Sequence, residues 1–447
     1  MRSNVPVSDR DTIFAAATAP GRAGVAIVRV SGAAAGVVVR ALTGRAAPAP
    51  RSAVMRALRD PDRDELIDRG LVLWFPGPRS YTGEDVAEFH VHGGRAVLAA
   101  LAQAIGRVPG VRFAEPGEFS RRAFLHGRLD LTQVEAIADL VDAETDAQRR
   151  MAQRQLEGEL GRRYEQWRSE LVRALAHVEA TIDFVDEPLD PALGEAVRAR
   201  VRVLEGEIRQ HLGDGRVGER VREGLLIAIV GAPNVGKSSI INRLAEREVA
   251  IVAPTAGTTR DVIEVRLDIG GYAVTIVDTA GLRETQDDVE QEGVRRARRR
   301  AADADLTIVV FDATTWPRGE AAVRAMVDAR SVVVINKADL ARPTLNGEEI
   351  ALSAVTGFGF ERLVQVLRER VDQLMAVQGG AMPLTRERHR QALEDCVAAL
   401  RASADHTEPE LAAEELRVAA QCLGRITGRV DVEDLLDLIF RDFCIGK

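Results

Sequence analysis

Cysteine is scarce: three occur in 447 residues, Cys396, Cys422 and Cys444, far apart and with no CxxC pair. That spacing excludes a zinc knuckle and a secreted disulfide framework, and a reducing cytoplasm is the expected setting. Long hydrophobic runs are missing as well. The longest, such as Leu225–Val230 and Leu306–Phe311, are of strand length, far below the ~20 residues of a membrane span. No membrane association is expected. The opening MRSNVPVSDRDTIF lacks an apolar signal core, so nothing in it marks export. An excess of positive charge is also absent, since Lys+Arg 60 against Asp+Glu 68 leaves a net charge of -8. A generally basic nucleic-acid coat is therefore excluded, and any RNA contact must come from a local patch or a partner.

What is present is a folded composition, 46% hydrophobic and 29% charged, long enough for two to four domains at roughly 100–200 residues each. Residues 1–118 mix short strand-like runs with Gly- and Pro-rich turns. GVAIVRVSG, GLVLWFPGP and VAEFHVHGG read as strands, and RAVLAALAQAIG as a helix that Gly106 stops. From 119 to 218 the texture is helical, with Leu131, Val134, Ile137, Ala138 and Val141 at helical spacing. Thr132 and Glu135 predict a capping box near a helix start. Glycines at 213, 215 and 218 read as a junction. Residues 219–378 alternate apolar strands with helices, the pattern of a largely parallel sheet covered by helices, and 379–447 are helical again. The expected fold is multidomain α/β plus α, with the α/β block inserted into a helical domain behind an N-terminal α+β module.

GAPNVGKSS, beginning at Gly231, matches GxxxxGK[ST] between a strand, LLIAIV, and a helix-prone SIINRLAE. Its glycines let backbone N–H groups close around a triphosphate, Lys237 would reach the β- and γ-phosphates, and Ser238 would ligate Mg²⁺. Asp278 opens DTAG at a strand end, where a carboxylate holds the metal through water and Gly281 senses the γ-phosphate. Thr259 lies between the two on a loop that orders when its hydroxyl meets the metal. NKAD follows VVVI, and the Asp339 carboxylate can accept from both guanine N1–H and the exocyclic amine. Adenine offers no such donor pair, so the site should prefer GTP. LSA (352–354) would supply a backbone N–H to guanine O6. The nucleotide is thus expected on Asn234, Val235, Gly236, Lys237, Ser238 and Ser239. Further contacts fall on Thr259, then on Asp278, Thr279, Ala280 and Gly281. The base falls to Asn336, Lys337, Asp339, Ser353 and Ala354.

Hydrolysis needs a water-positioning group. Leu282 stands where Ras-like switches carry Gln, and an apolar side chain cannot orient water. Asp287, Asp288 and Glu290 follow closely; one could hold the water, or all could form a solvated acidic helix start. Asn234 offers an oxygen near the phosphates where a monovalent cation could replace an arginine finger.

Together with PGRAGVAIVRVSG, SYTGEDVAEFHVHGG, PGEFSRRAFLHGRLDLTQVEAIADLVDA and the terminal FCIGK, these motifs resemble the MnmE (TrmE) family of tRNA-modification GTPases over essentially the whole chain. The resemblance implies an N-terminal tetrahydrofolate-binding and dimerising domain, a helical domain and an inserted Ras-like G domain. It implies potassium-stimulated hydrolysis with paired G domains of a homodimer. The ligands would be the Asn234 side chain and carbonyls of Ala253, Thr255 and Thr258 for K⁺, and Ser238 and Thr259 for Mg²⁺, with Thr255 and Thr258 also among the GTP contacts. Glu290 would position water and act with Lys237 in catalysis. Folate, as 5,10-methylene- or 5-formyl-tetrahydrofolate, would meet Arg29, Glu88, Arg128 and Lys447. Arg128 stands where Lys is common, which keeps the charge and changes the donor geometry. The FAD-containing partner MnmG would join the chain in a heterotetramer or larger complex. Together they would place a carboxymethylaminomethyl or aminomethyl group on C5 of wobble uridine 34, using glycine or ammonium and NADH.

The rival reading is a binding module, a ribosome-assembly-type GTPase switch; the acidic balance and the FCIGK tail argue against it. Cys444 beside Lys447 is a candidate thiol or a merely terminal cysteine. His90 and His92 share one strand face and read as structural. The run Arg295–Arg300 reads as a solvated helix face.

Overall fold

The computed structural model describes residues 11–183, 191–214, 216–250, 264–278, 302–318, 321–376 and 382–430, with Leu436, Ile439, Phe440, Phe443 and Gly446. The chain forms two compact units, one of residues 1–138, 161–166 and 423–447, the other of 139–160 and 167–422.

The first unit holds β1 (Thr12–Ala16), β2 (Ala23–Ser31), α1 (Ala35–Thr43), β3 (Val54–Arg59), β4 (Leu66–Phe75), β5 (Val86–Gly93), α2 (Arg95–Gly106), β6 (Val111–Phe113) and α3 (Glu118–Leu125). The strands make a six-stranded sheet in the order β3-β4-β5-β2-β1-β6. All pairings are antiparallel except β1 with β6. Alternation drives it: Val28, Val30, Phe89, Val91 and Val72 face a core shared with Val38, Leu42, Leu101 and Ile105 of α1 and α2. Arg29, Glu88 and His90 consequently face the other way. On the expected helix, α2 ends at Gly106 as its sequence predicts.

α4 (Leu131–Asp142) begins one residue before Thr132, and a different pair caps it. Asp130 Oδ1 accepts from Gln133 N at 2.9 Å, and Gln133 Oε1 accepts from Asp130 N at 3.0 Å. Thr132 and Glu135 are instead buried within the helix. The carboxylate preceding the helix reaches the free N–H groups first, so it takes the cap. Val141, expected on the apolar face, is 44% exposed.

The second unit contains α5 (Asp146–Leu156), α6 (Glu159–Asp183), α7 (Pro191–Leu212) and α8 (Val217–Glu223), of which α6 also contributes residues 161–166 to the first. Then come β7 (Leu225–Gly231), α9 (Lys237–Arg247), β8 (Val249–Ala250), β9 (Glu264–Ile269), β10 (Tyr272–Asp278), β11 (Leu306–Asp312), α10 (Ala321–Arg324), β12 (Ser331–Asn336), β13 (Ile350–Ala351) and α11 (Phe360–Met375). α12 (Glu387–Asp405) and α13 (Pro409–Thr427) follow, the end of α13 from Leu423 being assigned to the first unit. The seven-stranded sheet runs β13-β12-β11-β7-β10-β9-β8. It is parallel from β13 to β10, and β9 and β8 are antiparallel at one edge. The largely parallel sheet is as the alternation predicts.

The helical segments flanking the sheet meet each other. α12 packs on α7, and the buried Arg390 guanidinium donates to Glu219, Asp214 and the Leu212 carbonyl at 2.9–3.0 Å. The α/β block is therefore an insertion into helical structure. Gly218 serves a close approach, since a Cβ there would overlap the Leu384 carbonyl oxygen.

Candidate functional site

β7 is buried from Leu225 to Val230 apart from Leu226 and delivers the chain to Gly231 at the carboxyl ends of the parallel strands, where ligands of open α/β sheets bind. Packing dictates the glycines. A Cβ on Gly231 would stand 2.6 Å from the Val310 carbonyl oxygen, and one on Gly236 would overlap the Asn336 amide nitrogen. Gly236 also has φ 95° and Asn234 φ 62°, a left-handed conformation that asparagine tolerates better than most residues. Gly236 caps α9 and, being glycine, offers no side-chain acceptor of its own to the helix start, where the N–H groups and the helix dipole favour an anion.

Lys237 is 6% exposed, and its Nζ donates to the Gly231 and Ala232 carbonyls at 2.9 Å. The ammonium is thereby held against the loop. Ser238 Oγ donates to Asp278 Oδ2 at 2.8 Å; Asp278, at the end of β10, is 1% exposed. Two hard oxygen donors at this spacing suit Mg²⁺, which takes few protein ligands beside phosphate oxygens and water.

The base-side residues sit at the ends of β12 and β13. Asn336, 2% exposed, donates from Nδ2 to the Val235 carbonyl at 2.7 Å and accepts at Oδ1 from Ala354 N at 3.0 Å. One amide thus ties the phosphate loop to the LSA segment. The donors of that segment are engaged: Leu352 N on Ile335 O, Ser353 N on Phe358 O, and Ala354 N on Asn336. A guanine O6 placed here, as expected, would have to share or take the Ala354 donor. Buried Ser353 Oγ accepts from Thr356 N at 3.1 Å, and Asp339 is exposed at the surface of this loop.

Lys337 has φ 67°, and its Nζ meets Asp312 Oδ2 at 2.6 Å. Burial alone would push the Asp312 carboxyl up. The Lys337 ammonium and the Thr314 hydroxyl and amide outweigh it and hold the group below the usual carboxylate range. Motif reading missed Asp312, because its partner is near only across β11 and β12. Ala253, Thr255, Thr258, Thr259, Thr279, Ala280, Gly281, Leu282, Asp287, Asp288, Glu290, Arg295–Arg300, Cys444 and Lys447 lie outside the described residues.

A second cluster lies on the first unit. Arg29 on β2 stands directly opposite Glu88 on β5, and its Nε and Nη2 both reach Glu88 Oε1 at 3.0 Å. His90 Nε2 lies 3.3 Å from Glu88 Oε2. His90 thus belongs to this cluster, whereas His92 pairs with Asp68 at 2.9 Å. The Arg29 guanidinium lies 5.1 Å from the Tyr81 ring centroid and 5.7 Å from that of Phe119. Burial pushes the Tyr81 hydroxyl up, against its Ser120 hydrogen bond and the Arg29 charge. A charged pair over two aromatic rings suits a flat, amide-bearing heterocycle with an anionic tail. Glu88, one of the residues expected to meet folate, is thus already engaged by Arg29. Arg128 is exposed, its stem 3.5 Å from a Cβ built on Gly83. Near the chain end, a Cβ on Gly446 would overlap the Ala16 carbonyl oxygen, so Gly446 lies against the end of β1. Cys396 and Cys422 are buried, and burial pushes the Cys396 thiol up, which leaves it unreactive.

Among the described residues no helix is long and apolar enough to cross a membrane. Comparison with known proteins matches residues 12–128 to the "GTP-binding protein TrmE N-terminus" family and residues 131–444 to the "MnmE helical domain" family. The chain is 56% identical to the tRNA modification GTPase MnmE of Paramagnetospirillum magneticum, over 98% of its own length and 100% of that protein. It is 55% identical to the MnmE of Parvibaculum lavamentivorans, with coverage of 98% and 100%. It is 48% identical to the mitochondrial 5-taurinomethyluridine-tRNA synthase subunit GTPB3 of Danio rerio, with coverage of 98% and 93%. The chain belongs to the MnmE (TrmE) family of tRNA-modification GTPases.

Proposed function

We propose that this GTPase works with the FAD-containing MnmG flavoprotein to install a carboxymethylaminomethyl or aminomethyl group on C5 of wobble uridine 34 of tRNA. In this reading residues 1–118 bind reduced folate and dimerise, 119–218 and 379–447 form the helical domain, and 219–378 hydrolyse GTP, all in the cytoplasm. The observation that carries the nucleotide part is the Asn336 bridge, which joins the phosphate loop to the base loop through two hydrogen bonds.

Within the site, Lys237 and the N–H groups at the start of α9 offset the phosphate charge. Asp339 accepts from the guanine N1–H and amine and so rejects adenine. Ser238 and Thr259, with Asp278 hydrogen-bonded to Ser238, would hold Mg²⁺. Asn234 with the carbonyls of Ala253, Thr255 and Thr258 would hold K⁺. Bound there, the two cations would supply counter-charge to the phosphates. Glu290 orients the attacking water, a task Leu282 cannot perform. In the first unit, Arg29, Glu88 and Arg128, with Lys447, would hold the tetrahydrofolate that carries the one-carbon unit.

Mass spectrometry of tRNA nucleosides from cells lacking the gene tests the reading. Loss of the C5-substituted wobble uridine, restored by the wild-type gene, is expected; an unchanged wobble position would discard it.

A further inference from the structure

We infer that Asp312 is a positioning residue for guanine recognition, acting through Lys337; the inference rests on the guanine-nucleotide reading above. Three observations lead there. First, Lys337 is held in a left-handed backbone conformation, φ 67°, which a residue bearing a Cβ adopts only when its surroundings compel it. Second, the Asp312 carboxylate divides its two oxygens. Oδ1 accepts from Thr314 N at 2.9 Å and Thr314 Oγ1 at 2.7 Å, which shapes the turn after β11. Oδ2 is given to the Lys337 ammonium at 2.6 Å. Third, Asp312 is registered against Asn336 across β11 and β12, and Ala313 N donates to Asn336 O at 2.8 Å. The carboxylate therefore sits beside both residues that begin the NKAD segment.

A lysine stem costs rotamer entropy to hold still, and its apolar methylenes are well suited to lie along the face of a base. Anchoring the ammonium on Asp312 fixes the stem before the nucleotide arrives. Lys337 remains partly exposed, 32% of its side chain, so this immobilisation comes from the ion pair as well as from packing.

The oxygens' separate duties make the inference testable with Asp312→Asn. That change keeps an Oδ1 acceptor for Thr314 and replaces the oxygen facing Lys337 by an amide that cannot accept. Affinity for a fluorescent GDP analogue would be measured for wild type, Asp312→Asn, Lys337→Met and the double variant in the full-length chain. Asp312→Asn is expected to weaken GDP binding about tenfold, and to cost less than about twofold more in the Lys337→Met background. Wild-type affinity in Asp312→Asn would mean that the carboxylate only shapes the turn and would overturn the inference. An equal loss in both backgrounds would overturn it too, by showing that Asp312 does not act through Lys337. A wild-type chain that fails to bind GDP would remove the nucleotide reading itself, and the inference with it.

Discussion

At the residue scale, Asn336 has the most concentrated role in the nucleotide site. Its side chain satisfies a carbonyl of the phosphate loop and an amide of the base loop while nearly fully buried. Asn336→Ala would leave both partners unsatisfied, at about 1–3 kcal/mol for each buried group. GDP affinity should fall at least tenfold, read from displacement of a fluorescent analogue; an unchanged affinity would contradict the bridge. Glu290 carries a different expectation, because its assigned task concerns water alone. Glu290→Ala should cut GTP turnover roughly 100-fold or more with nucleotide affinity within about twofold, and a large loss of binding would contradict the assignment. The motif residues were legible because each is defined by short spacing along the chain. Asp312 and Tyr81 were not, since their partners Lys337 and Arg29 become neighbours only across paired strands or loops, and His90, two residues from Glu88 on β5, shows its partner only once the side chains are placed.

At the element scale, the start of α3 shows how buried charge organises a helix. Glu118 is 3% exposed and takes Arg112 on both oxygens at 2.7 and 2.8 Å, with Arg122 at 3.0 Å. Burial pushes its carboxyl up, but Arg112, the Glu115 amide and Arg122 together hold it below its ordinary value of 4.5. Because the folded value is depressed, the stabilisation is in place above about pH 4.5 and fades as the pH falls towards the folded value. Glu118→Gln should lower stability by roughly 1.5–3 kcal/mol at pH 7, since Arg112 and Arg122 lose the charge of their shared acceptor but keep one carboxamide oxygen and their bonds to Asp11 and Glu84. Urea unfolding followed across pH should show that deficit shrinking below pH 4.5; a deficit constant with pH would show that charge is not its origin. Neither this network nor the Asp130–Gln133 cap of α4 could be read beforehand. Thr132 and Glu135 have the right spacing for a cap, but so do Asp130 and Gln133, and sequence spacing does not say where the helix begins.

At the scale of the whole molecule, the K⁺ proposed at Asn234 and the pairing of G domains it is expected to stimulate predict that turnover depends on which monovalent ion is present. GTP hydrolysis should be at least about tenfold faster in potassium than in sodium at equal ionic strength, and equal rates would remove the cation from the mechanism. The tail gives a second test. Gly446 lies against Ala16 with φ 104°, so Gly446→Val should displace the last residues. Titration of reduced folate should then show about tenfold weaker binding with GDP affinity intact; unaltered folate binding would dissociate the tail from that site. What sequence alone determined is the local chemistry: strands by alternation, helices by periodicity, the phosphate and guanine motifs by spacing. The insertion of the α/β block was also legible, because helical texture both precedes and follows it. Only tertiary structure decided which charges pair, which loop donors are already engaged and which rings lie beneath Arg29. Those facts depend on strand order and register, and hydrogen bonds of about 3 Å join residues that sequence places dozens of positions apart.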